Sequence, residues 1–284
     1  MGKDGWLFLK NDSCRELEVH CNNLYLVNDS LLKDRYTSFK HKFFMTIFPN
    51  KSLVYSDYLP SNYIVKYRPG FDTYKRVLGD CLLDGYEVLK GLPDTYYKTD
   101  THINFRGAYL VYCDWIRHVN QRFSLCLPVP NHTVVGTEVQ SLSELNVGIG
   151  DLTWDSNRGS IVIERMSDLY FRSDTVEFPY MTYTITRDGP IRLLLPTLED
   201  VTNTRIGATL DWAIVSACIL FKRNTGAVSK RAVIFYDSFL LSTMSLYMNL
   251  FNETYMVKNI YDPSLVKKIN PDFVFEFRVE RFLF

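Results

Sequence analysis

Three short runs of this chain are dominated by large apolar residues, and each is bounded by turn formers. Phe43-Phe44-Met45-Thr46-Ile47-Phe48 stops at Pro49-Asn50, residues 231–235 carry Ala232-Val233-Ile234-Phe235, and residues 272–277 follow Asn270-Pro271. A strand with one face in water alternates apolar and polar side chains. A run that is apolar at nearly every position is buried on both faces, as in a parallel sheet covered by helices. Segments with helical periodicity lie between these runs. Residues 71–83 place Phe71, Tyr74, Val77, Leu78 and Leu82 near 3.6-residue spacing, and residues 105–119 do the same through Tyr109, Tyr112, Trp115, Ile116 and Val119. After the second apolar run, Leu240, Met244, Tyr247, Met248 and Phe251 share one helical face. Strands alternating with helices predict an α/β fold with a mainly parallel sheet. Residues 148–195 differ, with short β-like runs at 160–164, 181–186 and 191–195. They are expected to form a β-rich insertion or lid within a single domain spanning residues 1–284.

Composition narrows the function. Hydrophobic residues make up 46% of the 284, enough for a substantial core and too many for a disordered chain. Lys+Arg and Asp+Glu balance at 32 each, which gives no electrostatic reason to expect nucleic acid as a partner. The 19 Tyr and 19 Phe fill a core or line a groove on which sugars stack. The six cysteines form no CxxC pair, and His102, His118 and His132 do not combine with them in a zinc spacing, so no metal is expected. Cys81, Cys113 and Cys218 sit in apolar runs and read as small buried hydrophobes. The first nine residues lack the apolar region of a signal peptide, and the longest apolar stretch, 212–221, is about half a membrane span. A cytoplasmic location is therefore expected for the chain as given, and an extracytoplasmic one if it is cut from a longer protein.

Two motifs carry the chemistry. Thr99-Asp100-Thr101-His102 supplies a carboxylate and an imidazole two residues apart, which on an extended segment face the same side. Tyr236-Asp237-Ser238-Phe239 puts a serine between an apolar strand and a helix. Sites in open α/β sheets form at the carboxyl ends of strands, where the first amides of the next helix can stabilise an oxyanion. A serine hydroxyl needs a base, and the base needs an acid to fix its tautomer. Ser238, His102 and Asp100 can fill those roles. The alternatives are a serine that serves only as a helix N-cap and an Asp-Thr-His that is only loop. Asn50, Asp151, Tyr236, Asp237 and backbone groups near Gly150 are further candidates for oxyanion or substrate contacts.

These motifs resemble the SGNH-hydrolase-like O-acetyltransferases of the AlgJ/AlgX type, which acetylate alginate and other bacterial polysaccharides. The resemblance runs nearly end to end. Gly2-Lys3-Asp4-Gly5-Trp6-Leu7-Phe8 is similar to the family's G-x-D-G-W-L-F. Pro49-Asn50-Lys51, with Tyr55 and Leu59-Pro60, is similar to P-x-K-x-x-x-Y…L-P. Tyr97 to His102, with Gly107-Ala108, is similar to Y-x-x-D-T-H-W-T-x-x-G-A. Gly150-Asp151-Leu152 resembles a G-D-L segment, and Tyr236-Asp237-Ser238-Phe239 resembles G-D-S-F. Pro271-Asp272-Phe273-Val274 and Val279-Glu280-Arg281-Phe282-Leu283 are similar to P-D-x-V…V-E-R-x-L. Tyr236 stands where the family has Gly, and Ile103-Asn104 where it has Trp-Thr.

The resemblance implies an SGNH-like α/β/α sandwich with Ser238, His102 and Asp100 as its catalytic set. It implies transfer of an acetyl group, through an acetyl-serine, to a hydroxyl of a polysaccharide or oligosaccharide. No tightly bound cofactor is expected. The acetyl donor would be acetyl-CoA for a cytoplasmic protein, or a membrane acetyl-supplying partner for an exported one. The other functions compatible with these residues are a carbohydrate acetylesterase and a catalytically inactive carbohydrate-binding protein.

Overall fold

The computed structural model describes residues 2–10, 12–24, 28–37, 39–129, 134–138, 152, 154–155, 159–160, 167–171, 181–185, 192–195, 218–222, 228–248 and 250–283. Its helices are α1 (Glu16–Asn22), α2 (Asp29–Thr37), α3 (Lys51–Val54), α4 (Pro69–Leu78), α5 (Gly85–Leu89), α6 (Phe105–Phe123), α7 (Met244–Met248) and α8 (Pro263–Ile269). The strands are β1 (Phe43–Phe48), β2 (Leu82–Asp84), β3 (Val134–Glu138), β4 (Trp154–Asp155), β5 (Gly159–Ser160), β6 (Ser167–Phe171), β7 (Met181–Ile185), β8 (Arg192–Leu195), β9 (Cys218–Lys222), β10 (Val228–Tyr236), β11 (Phe251–Val257) and β12 (Phe273–Val279). Among the described residues, no helix is long and apolar enough to cross a membrane.

Eight strands form one sheet in the order β2-β1-β12-β10-β11-β9-β7-β8. The first five are parallel, and β9, β7 and β8 extend the sheet antiparallel beyond β11. Side-chain alternation divides each apolar run between two helical layers. In β1, Phe44 and Phe48 pack on one layer and Phe43, Met45 and Ile47 on the other. In β10, Ala232, Ile234 and Tyr236 oppose Val233 and Phe235 in the same way. The first layer holds α5, α6 and α7; the second holds α2, α4 and α8. Trp115 of α6 is fully buried, edge-on to Phe275 and Tyr247 with ring centres 4.9 and 5.1 Å away. The result is an α/β/α sandwich about a mainly parallel sheet, the class expected from the runs.

Two predicted helices have different bounds. The helix expected over 71–83 ends at Leu78, because Gly79 takes φ +59°, a left-handed conformation that ends a helix and suits glycine. Residues 82–84 then form the edge strand β2, in register with Met45 to Ile47. The helix expected to run from Leu240 to Phe251 is a 3-10 turn (Ser238–Thr243) followed by the short α7, and Phe251 opens β11. Phe251 matches helical spacing by coincidence. Its ring stacks on Phe275 two strands away, 5.7 Å between centres. Most of 148–195 lies outside the described residues. Apart from Leu152, the parts that are described there, at 154–155, 159–160, 167–171, 181–185 and 192–195, are strands. Cys81 is buried and Cys113 half-buried.

Candidate active site

The C-terminal ends of β1, β10 and β12 meet at one edge of the sheet. β10 ends at Tyr236, and Asp237 turns the chain. One Asp237 carboxylate oxygen accepts the Phe239 amide (2.9 Å), and the other accepts the Val279 amide at the end of β12 (2.7 Å). Asp237 is buried, which raises its carboxyl pKa against the pull of the two amides and of Arg278. It therefore pins the turn that carries Ser238 to the neighbouring strand.

Asp100 and His102 come from the irregular segment before α6. Tyr96 and Ile103 bridge its two ends, and Asn104 caps α6 by accepting the Gly107 amide (2.9 Å). Gly107 is required there, since a Cβ would fall 2.4 Å from the Thr95 carbonyl oxygen. Asp100 Oδ1 accepts two bonds from His102, one from its amide (2.8 Å) and one from ring Nδ1 (2.7 Å). A carboxylate only accepts, so Nδ1 carries the proton and Nε2 is left with its lone pair. That Nε2 lies 2.8 Å from Ser238 Oγ and can accept the hydroxyl proton. The side chains of His102 and Asp100 are 31% and 17% exposed, so the group opens to solvent. The Phe239 ring lies under the imidazole, 5.1 Å between centres.

The remaining sequence candidates have other surroundings. Asn50 is fully buried; its amide donates to His20 Nε2 (2.8 Å) and its oxygen accepts the Arg281 amide (3.3 Å). His20 Nδ1 in turn donates to the Tyr67 carbonyl (2.8 Å), and burial lowers its pKa. Asn50 thus ties the end of β1 to the segment after β12. Tyr236 points into the core with Phe48 and Phe239, so it fills the layer beneath the turn. Ile103 is likewise buried, and Asn104 is the α6 cap. Both departures from the family pattern after the histidine are thus built into the scaffold. Asp151 and Gly150 lie outside the described residues.

Two residues with no role assigned from sequence stand next to the site. The Arg281 guanidinium lies over Phe239 at 5.2 Å, donates to Thr101 Oγ1 (3.3 Å) and approaches Glu16 (3.7 Å). Lys51 is buried and donates to three backbone carbonyls of the segment that carries Asp100. Both belong to motifs that carry the family resemblance, yet lysine and arginine are exposed in most proteins, and only tertiary contacts reveal the roles of these two.

No protein-family model matches this chain, and no curated protein matches it in sequence. Solved structures do. Bacillus cereus PatB1 superposes with a TM-score of 0.69 over 100% of this chain and 96% of that one, at 16% identity. A DHHW family protein from Eubacterium siraeum gives 0.58 over 92% and 87%, at 15% identity. The O-acetyltransferase domain of Pseudomonas putida AlgJ gives 0.51 over 100% and 91%, at 15% identity. The chain shares their fold. The resemblance drawn from the motifs is thereby matched in architecture, and the chain is α/β with a mainly parallel sheet.

Proposed function

We propose that this protein is an O-acetyltransferase that moves an acetyl group through an acetyl-serine at Ser238 to a hydroxyl of a polysaccharide. The observation that carries the reading is the hydrogen-bonded series Asp100–His102–Ser238, at 2.7 and 2.8 Å, on the carboxyl edge of a parallel sheet. The likeness in fold to the AlgJ O-acetyltransferase domain supports transfer.

In the first step Ser238 Oγ attacks the acetyl carbonyl of the donor, and its proton passes to His102 Nε2. Asp100 stays ionised and stabilises the imidazolium through the Nδ1 bond. The tetrahedral intermediate collapses, the donor's leaving group takes the proton from Nε2, and acetyl-serine remains. A sugar hydroxyl then gives its proton to Nε2 as it attacks the ester, and Ser238 leaves with that proton. The Phe239 and Leu240 amides already have acceptors in Asp237. The Ser238 amide, first in its turn, is the backbone donor assigned to the oxyanion. The donor is acetyl-CoA or a membrane acetyl-supplying partner, according to where the protein resides.

A second reading, carbohydrate acetylesterase, rests on the solvent exposure of His102, since water can take the place of the sugar hydroxyl in the second step. The test is acetyl release from p-nitrophenyl acetate by wild type and Ser238→Ala, with and without oligosaccharide acceptors. The expected result is loss of turnover in the variant, one acetyl group on a Ser238 peptide of the wild type, and acetylated sugar when acceptor is present. Equal rates in the two proteins would remove Ser238 as nucleophile. Sugar binding with no turnover of any donor would make the protein a binding module.

A further inference from the structure

The segment that presents Asp100 and His102 has neither helix nor strand to hold it, because residues 97–102, with bends at 98–102, run irregularly between the bridged Tyr96 and Ile103. Three of its carbonyl groups converge on a single point, the ammonium of Lys51. The distances from Nζ are 2.7 Å to the Asp100 oxygen, 3.1 Å to Lys98 and 3.3 Å to Tyr97. An ammonium has three N–H donors and no acceptor, so three carbonyls match its donor capacity. The rings of Phe8 and Trp6 face the same nitrogen at 5.4 and 5.9 Å. Lys51 is 3% exposed. A lysine so buried is unfavourable unless its charge is compensated, and here carbonyl dipoles and ring faces contribute to that compensation.

We propose that Lys51 is a positioning residue for the Asp100–His102 pair. The shortest of its three bonds is to the Asp100 carbonyl, on the residue whose carboxylate fixes the His102 ring. Three carbonyl oxygens pointing at one place repel one another once the cation is gone, and the Asp100 backbone then turns away. Lys51 reaches this segment from the first residue of α3, directly after β1, so it fixes the segment to the sheet edge where Ser238 stands. The neighbouring Thr99 and Thr101 are held separately, the Thr99 carbonyl by the Leu152 amide (3.1 Å) and the Thr101 hydroxyl by Arg281 (3.3 Å). Lys51 engages the Asp100 carbonyl itself. The inference rests on the Ser238 acyl-transfer reading for its kinetic consequence only; its geometric consequence stands apart from it.

The experiment compares wild type, Lys51→Met and Lys51→Arg in the full chain. Methionine keeps the length of the stem without the donors. Arginine keeps the charge, but its planar fork does not direct three bonds to one point, and it serves if the methionine variant fails to fold. Two readouts are taken: turnover of p-nitrophenyl acetate, and the strongly deshielded proton resonance of His102 Nδ1–H, assigned with His102→Ala. A displacement of the acid by a fraction of an ångström to one ångström is expected to lower kcat roughly 10- to 100-fold with KM unchanged. The Nδ1 resonance is expected to broaden or shift. A folded variant with wild-type kcat and an unchanged resonance overturns the proposal, as does a change confined to KM. If the wild type turns over no acyl donor, the acyl-transfer reading has failed, and the resonance alone decides the role of Lys51.

Discussion

Glu280 gives the chain a pH dependence of stability whose sign is opposite to that of an ordinary surface carboxylate. It is 5% exposed and shares the guanidinium of Arg68 with Asp84. One cation thus faces two carboxylates. Burial, with Asp84 and Asp72 adding to it and Arg68 opposing, pushes the Glu280 carboxyl from 4.5 up to about 7. The folded state therefore binds a proton in a range where the unfolded state has released it. Stability from this group is fully present below 4.5 and is lost as pH rises through about 7. At about 1.4 kcal/mol per pH unit, the loss across that window is at most about 3 kcal/mol. Glu280→Gln keeps the shape and stays neutral throughout, so it lacks this loss. Urea unfolding at about pH 5 and about pH 8 is expected to show the variant gaining up to about 3 kcal/mol on the wild type as pH rises. Parallel pH profiles for the two proteins would refute the reasoning. A wild type that gains on the variant with rising pH would show that the Arg68 ion pair outweighs burial.

Two further substitutions test the scaffold of the site. Asp237→Asn leaves one oxygen where two accept the Phe239 and Val279 amides, and places an N–H₂ opposite one of those donors. A loss of about 1–3 kcal/mol is expected by thermal denaturation, and an unchanged melting temperature would contradict it. Trp115→Ala empties the centre of the first layer, where the ring is 0% exposed. A loss of about 3–5 kcal/mol is expected by denaturant titration, and a loss under about 1 kcal/mol would mean that the surrounding Tyr112, Tyr247, Phe275 and Phe277 collapse to fill the space.

The spine of the fold was legible because a parallel sheet buried on both faces writes itself as continuous apolar runs. The 43–48 run has the expected bounds, and α6 starts at the expected Phe105. Element ends were less legible, since a single backbone angle at Gly79 decides one of them and a partner two strands away decides another. Asp100, His102 and Ser238 could be singled out by residue type and spacing, but their meeting is a long-range event that no local pattern encodes. Asn50, Tyr236 and Asp237 are polar or aromatic residues at or next to strand ends, where substrate contacts are expected. The same strand ends also need caps and ties, and the structure shows these residues in such contacts. The role of Lys51 is not legible for the converse reason: the acceptors it meets are backbone carbonyls, which carry no sequence signature.

Three consecutive residues, the last of β12 and the two that follow it, explain how these separate loops keep a common geometry. The Val279 amide binds Asp237 and so the nucleophile turn. The Glu280 carboxylate binds Arg68, the residue preceding α4. The Arg281 amide binds Asn50 at the end of β1, and its side chain reaches Thr101, between Asp100 and His102. Val279 ends the strand and Glu280 opens a 3-10 turn, so the backbone changes direction here, and three neighbouring residues, two of them through their amides, reach three different partners at once. Titration of Glu280 therefore acts one residue from the tie to Ser238 and one residue from the tie to the Asp100–His102 segment. Its neutral form loosens the hold on Arg68 while leaving intact the Val279 and Arg281 amide bonds and the Arg281 side-chain bond to Thr101, none of which uses the Glu280 carboxyl. On this arrangement the Glu280 proton tunes the stability of the chain and leaves the 2.8 Å His102–Ser238 contact in place.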